Sequence, residues 1–167
     1  MKIYLLIGGN IGDRFFYLEK ASQLIGCKIG RVLRSSSIYE SEPWGFDDEQ
    51  QFLNMAVEVE SDLQPATVLS KIHEIEAELG RVRSGEGYCS RTIDIDILFY
   101  GRWIIIQKDL VVPHKHLPAR RFALAPMHEL VPEMKHPILG ITMETLLNKC
   151  KDKGAVKKLK TSSSIVG

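Results

Sequence analysis

Two stretches of the chain alternate strictly between apolar and other residues. From Arg91 to Tyr100, Ile93, Ile95, Ile97 and Phe99 fall at every second position, with Asp94 and Asp96 between them. From Phe52 to Glu60, Leu53, Met55, Val57 and Val59 form one set and Phe52, Asn54, Ala56 and Glu58 the other. A period of two predicts strands with one packed face. Two other segments repeat at helical spacing. Leu18, Ala21 and Ile25 follow Asp13, a ready cap, and precede Gly26, an expected stop. Val68, Ile72, Ile75 and Leu79 follow Pro65, at a tolerated early helical position, and Gly80 ends the run. Lys2 to Ile7 reads as a short apolar strand closed by Gly8-Gly9-Asn10, a turn letting the backbone pass close to a ligand. Arg31 to Tyr39 predicts another strand despite Ser35-Ser36-Ser37.

The element order is that of a split βαβ, so the chain predicts an α+β fold, a ferredoxin-like βαββαβ sheet. An additional C-terminal hairpin and helices follow: after Gly101, Trp103 to Gln107 is expected to pair back as a hairpin, Ala119 to Leu130 is helical, and Thr142 caps a last helix to Lys149. Residues 1–150 form a single domain, and 151–167, richer in Lys, Gly and Ser, are expected to be a flexible tail. One face of such a sheet packs on its helices and the other is left available. Parity then puts Phe52, Asn54, Asp94 and Asp96 together on the open face.

Asp is depleted in strands, and like charges on one face repel. The aspartates are either the solvated side of a half-buried strand or a pair that gathers cations. They sit about 7 Å apart at a rise of roughly 3.3 Å per residue. That distance suits a carboxylate for each of two hard cations, or both reaching toward a pair such as magnesium ions shared with nucleotide phosphates. Spacing alone leaves both readings standing.

Composition narrows the class. A chain of 167 residues with net charge +1 is long enough for one sizeable core and offers no global argument for nucleic acid or membrane. Cys27, Cys89 and Cys150 are too scattered for a disulfide framework or a zinc motif. Ile3 to Ile7 is too short for a signal peptide or a span, so a cytoplasmic protein is expected.

Other residues carry candidate chemistry. Arg81, Arg83 and Arg91, interleaved with Gly85 and Gly87, describe a basic loop leading straight into the aspartates, where arginines clamp phosphoryl groups. Trp44 and Phe46, in a loop with Pro43 and Gly45, either pin that loop to the core or close on a ring-shaped ligand. Asn54 beside Phe52 can read a planar heterocycle through its amide, although a strand Asn is more often structural. Glu76 lies beside its helix seam, where exposure is the common outcome. His114 and His116 suggest a basic patch for phosphate rather than zinc, because no third soft ligand is near in sequence.

Taken together, these pieces resemble the 6-hydroxymethyl-7,8-dihydropterin pyrophosphokinases of folate biosynthesis over about residues 3 to 150. The resemblance rests on Gly80-Arg81-Val82-Arg83 followed by Arg91-Thr92-Ile93-Asp94-Ile95-Asp96-Ile97. Gly8-Gly9-Asn10, Phe52-Leu53-Asn54, Val112-Pro113-His114 and Arg120-Arg121-Phe122 support it. It implies transfer of pyrophosphate from ATP to the pterin hydroxymethyl group, with AMP released and two Mg2+ ions as cofactors. Asp94 and Asp96 are then the metal ligands, and Arg81 and Arg91 the catalytic phosphate clamps. Glu76, Arg83, Tyr88, Arg91, Ile97, His114 and Arg120 take the ATP side. Ser41, Pro43, Trp44, Gly45, Phe52, Asn54, Asp94 and Phe122 take the pterin side. The partners are these small molecules, with no nucleic acid or membrane, and the chain is expected to be a monomer.

The match has gaps. Tyr88 replaces a usual tryptophan, Glu42 an expected proline, and Asp109, Val111 and Lys115 stand where relatives can carry arginine, threonine and tyrosine. Two rivals remain: another metal-dependent nucleotidyl or phosphohydrolytic enzyme, separated by its products, and a non-catalytic ligand-binding module, separated by ATP binding without turnover.

Overall fold

A computed structural model of the chain describes residues 1–42, 50–80 and 92–159. Its elements are β1 (Lys2–Gly9), α1 (Arg14–Lys28), β2 (Arg31–Ser35), β3 (Tyr39–Ser41), β4 (Phe52–Glu60), α2 (Pro65–Glu78) and β5 (Asp94–Tyr100). After them come β6 (Ile105–Ile106), β7 (Val111–Val112), α3 (Arg121–Leu130), α4 (Met143–Lys149) and β8 (Val156–Lys158). The sheet runs β5-β1-β4-β3-β8, with β2 also on β4, and every pairing is antiparallel. If β2 and β3 are read as one interrupted strand, this is the expected βαββαβ arrangement, and β6-β7 is the added hairpin. Among the described residues, no helix is long and apolar enough to cross a membrane.

The alternations do what their period predicts. Ile3, Leu5 and Ile7 join Leu53, Met55, Val57 and Val59 and Ile93, Ile95 and Ile97 in one core against Leu18, Ala21 and Ile25 of α1 and Val68, Ile72 and Ile75 of α2. The other face is less open than expected. Tyr4, Leu6, Ala56, Leu98 and Phe99 form a second core with Ala123, Leu124 and Met127 of α3 and Met143 and Leu146 of α4. Asp94 and Asp96 lie outside that core and stay half-buried.

Phe99 corrects the simple alternation. Tyr4 faces Phe99 but Leu5 faces Ile97, so Leu98 is an extra residue on β5. Such a bulge reverses parity beyond itself. Leu98 and Phe99 therefore both enter the second core, and Tyr100 turns to the first, where its hydroxyl donates to the Leu63 carbonyl.

Local stops also differ. Asp13 caps α1 by accepting from the Phe16 N–H at 3.1 Å, as expected. Gly26, however, lies inside the helix, which continues to Lys28. The tight position is Gly30, where a Cβ would meet the Glu60 carbonyl oxygen at 2.2 Å. Gly8 and Gly9 belong to β1 rather than to a turn. Nor does the described part of the tail fray: Val156, Lys157 and Lys158 pair with Ser41, Glu40 and Tyr39.

The serine run interrupts the strand by substituting side-chain bonds for ladder bonds. Ser36 donates its N–H to the Ala56 carbonyl at 2.8 Å, and its Oγ accepts from the Ala56 N–H at 2.9 Å. Ser37 turns to α3, donating its N–H and hydroxyl to Glu129 Oε1 at 2.9 and 2.8 Å, while the Tyr39 hydroxyl donates to Glu129 Oε2 at 2.6 Å. Burial pushes the Glu129 carboxyl up, but the bonds from Tyr39 and Ser37 outweigh it and hold the group below the usual range.

Glu129→Ala strands three donors and should lower unfolding free energy by about 1–3 kcal/mol. A carboxyl lowered by folding stabilises above its unfolded value near about 4.3 and loses that contribution as pH falls through the folded value. Urea denaturation should therefore show the gap between wild type and variant narrowing from about pH 6 to about pH 3. A gap independent of pH would contradict this account.

Candidate functional site

Strand pairing assembles the site. Asp94 faces Gly8, Gly8 faces Asn54 and Asn54 faces Tyr39, so one row crosses β5, β1, β4 and β3. In a parallel row, Asp96 faces Leu6 and Leu6 faces Ala56. Side chains directly opposite across a ladder share a face. Asp94, Asp96 and Asn54 thus stand on the same side of the sheet because Ile95, Ile97, Leu53 and Met55 are buried on the other.

Gly8 permits this packing. A Cβ there would lie 2.4 Å from Asn54 Oδ1, closer than any two such atoms can approach. Without it, the buried Asn54 amide lies over the backbone of β1, its Nδ2 donating to Ser41 Oγ at 3.0 Å. Phe52, half-buried, pairs with Ser41 at the start of β4. Phe122, also half-buried, packs on the second core at the start of α3, with the Arg120 guanidinium 5.7 Å from its ring centre.

β5 is an edge strand, and its free edge borders a cavity of about 380 Å³. Asp94, Asp96, Glu76, Ile97, His114 and Arg120 all line it, so six of the expected residues meet there. Ile97 does so with its side chain in the first core. Glu76 is buried rather than exposed, and its Oε2 accepts from the Ile95 N–H at 3.0 Å, between the two aspartates. An edge N–H that water cannot reach needs such a partner. Asp94 and Asp96 share the cavity lining with the cationic Arg120, Lys108 and Lys115 and with His114.

His114 follows the cis Val112–Pro113 bond, and its N–H donates to the Leu98 carbonyl at 3.0 Å, which pins this part of the lining to β5. Its Nδ1 accepts from the His116 N–H at 3.2 Å. Burial first, then the nearby Arg120, lowers the His114 pKa to about 4. The ring is therefore neutral at physiological pH, with its proton on Nε2 as a donor.

Among the described residues, no group of three or more His, Cys, Asp or Glu converges on one point. Two half-buried carboxylates beside a polar cavity fit magnesium, which takes one or two carboxylates and completes its shell with phosphate and water oxygens.

Several lining residues carry no motif signal: Leu69, His73, Lys108 and Leu110. Of these, His73 was findable, lying three positions before Glu76 on the same helix face. Asn10 is another omission. It is buried and donates from Nδ2 to the Gln50 carbonyl at 3.1 Å, while Arg14 bonds Glu40 and the Gln51 carbonyl, both at 2.9 Å. These bonds tie Glu40, Gln50 and Gln51 to the end of β1 and the start of α1. Pro43, Trp44 and Gly45, and Arg81, Arg83, Tyr88 and Arg91, lie outside the described residues.

Comparison with known proteins identifies relatives of this chain. The family model for 7,8-dihydro-6-hydroxymethylpterin-pyrophosphokinase matches residues 4–132. The 2-amino-4-hydroxy-6-hydroxymethyldihydropteridine pyrophosphokinase of Bacillus subtilis is 42% identical over 133 residues, covering 79% of each chain. The Porphyromonas gingivalis protein of that name is 38% identical over 138 residues, 81% of this chain and 93% of its own. The folic acid synthesis protein fol1 of Pneumocystis carinii is 35% identical over 150 residues, and this chain spans only 20% of its length. Among solved structures, wild-type Plasmodium falciparum HPPK-DHPS superposes with a TM-score of 0.74 at 18% identity, covering 89% of this chain and 44% of that one. This last likeness concerns the fold.

Gly8→Ala is expected to push the Asn54 amide away from Ser41 while leaving the strand pairing intact. A variant crystal structure that kept the 3.0 Å Asn54–Ser41 bond would contradict the packing argument. In a histidine NMR titration, His114 should stay neutral from pH 8 to about 5 and protonate near about 4. A midpoint at the ordinary value of about 6.5 would count against its burial.

Proposed function

The chain belongs to the 7,8-dihydro-6-hydroxymethylpterin-pyrophosphokinase family, and we propose that it transfers pyrophosphate from ATP to the hydroxymethyl group of 6-hydroxymethyl-7,8-dihydropterin, releasing AMP. The observation that carries the reading is the shared face of Asp94, Asp96 and Asn54. It sets an acidic cavity wall next to an amide suited to a heterocycle edge.

On this reading ATP occupies the cavity at the edge of β5. Arg120 lines that cavity and supplies positive charge for the phosphates, and the neutral His114 supplies a donor that needs no counter-ion. Glu76, by holding the Ile95 N–H, keeps the strand straight between the aspartates. Arg81 and Arg91 act as phosphate clamps, with Arg83, Tyr88 and Ile97 completing the ATP side. The pterin lies against Asn54, between Phe52 and Phe122, with Ser41, Pro43, Trp44 and Gly45 closing its pocket and Asp94 shared between the two substrates. Asp94 and Asp96 would hold two Mg2+ ions, which supply charge neutralisation and favour ionisation of the attacking hydroxyl.

The transfer itself needs positioning more than covalent catalysis. The hydroxymethyl oxygen bonds to the β-phosphorus as the bond from that phosphorus to the α–β bridging oxygen breaks. AMP departs with the bridging oxygen, and the hydroxyl proton goes to solvent. A cytoplasmic, monomeric protein with small-molecule partners belongs to the same proposal.

The test is AMP release with ATP, magnesium and the hydroxymethyl-dihydropterin, with each omitted in turn. All three should be required, and the second product should be the pterin diphosphate. Asp94→Asn and Asp96→Asn should each reduce turnover by roughly 100-fold or more. Release of ADP or orthophosphate, or AMP formation without the pterin, would overturn the reading.

A further inference from the structure

We propose that residues 150–159 act as a strap that sets the span of the acceptor pocket, with Asp152 as its positioning residue; this rests on the placement of the pterin between Asn54 and Phe122. The segment lies beyond the residues that the family model matches. At one end it grips the start of α3. Asp152 Oδ2 accepts from the Arg121 main-chain N–H at 3.1 Å, and the Arg121 side chain donates back to the carbonyls of Asp152 and Cys150 at 3.0 and 3.3 Å. The next residue along α3 is Phe122.

At its other end the segment grips β3. Val156 faces Ser41, whose Oγ holds the Asn54 amide, and the Leu159 N–H donates to the Ile38 carbonyl at 2.8 Å. One short run of chain is thus bonded to the neighbours of both pocket walls. Four residues of extended chain reach at most about 14 Å. The second oxygen of Asp152 shortens the run further by accepting from the Gly154 N–H at 2.9 Å. The separation of Phe122 from Ser41 is therefore limited by covalent chain as well as by packing. The cavity assigned to ATP lies along β5, at the opposite end of the sheet from β8, and none of residues 150–159 lines it.

The test combines hydrogen exchange of the full chain with steady-state kinetics. Asp152→Ala should speed amide exchange both at Tyr39–Ser41 and at Arg121–Leu124. It should raise KM for the pterin about 3- to 10-fold, with KM for ATP and kcat unchanged. Asp152→Asn, which keeps one of the two acceptors, should recover part of the effect. Arg121→Ala, which removes the return bonds without touching the main-chain N–H, offers a second route should Asp152→Ala fold poorly. Exchange unaltered at either end would overturn the strap. Equal changes in both KM values would show a general structural role and overturn the positioning claim. Faster exchange at both ends in a chain whose wild type yields no pterin-dependent AMP would instead overturn the acceptor reading on which that role rests.

Discussion

Burial of Ile93, Ile95 and Ile97 against the two helices decides where Asp94 and Asp96 point. Each buried isoleucine side chain is worth about 1.5–3 kcal/mol relative to exposure. Turning the strand over to separate or hide the carboxylates would forfeit several such terms at once. Repulsion between two half-exposed carboxylates is smaller than that in a high dielectric. The apolar face therefore wins and holds the acidic face in place. The same argument applies to β4, where Leu53, Met55, Val57 and Val59 hold Asn54 on that side.

The position of β5 at the sheet edge adds the second requirement of the site. An inner strand has neighbours on both sides, and a cavity could reach it only over a face. Here the strand's outer margin is open to the space between α2 and the segment carrying His114. Exposed edges invite pairing with other chains, and the Glu76 carboxylate answers that by occupying the Ile95 N–H. The carboxylate that protects the edge also borders the cavity, so structural and chemical demands fall on one residue.

Much of this was legible from periodicity. The parity of β4 and β5 follows from strict alternation, and the two helices from seams at helical spacing. What escaped was set by contacts distant in sequence. The bulge at Leu98 depends on register against Tyr4 and Leu5, so Phe99 read as part of the wrong face. Glu76 read as exposed because its partner is a main-chain N–H on another element, which no side-chain pattern reveals. Gly8-Gly9 read as a turn, when the absent methyl at Gly8 serves a side chain on the neighbouring strand. The available face was overestimated because α3 and α4 come late in the chain and nothing in their own sequence says where they dock. Tail composition concealed β8, whose pairing partner lies more than a hundred positions away.

The extra residue at Leu98 separates β5 into two halves that answer to different neighbours. Upstream, the acidic side chains share their flank with a polar-lined hollow; downstream, Leu98 and Phe99 present apolar surface to that same flank. Regular alternation would have followed the aspartates with Leu98 and then Tyr100 on that flank; the slip sets Leu98 and Phe99 there side by side and sends Tyr100 to the other core. The single seven-residue ribbon thus has a polar end and an apolar end on one surface, the slip doubling the apolar end, with the boundary only two positions past Asp96. Two large apolar side chains therefore stand between the hollow and the packing beneath α3, where water would find no polar partner.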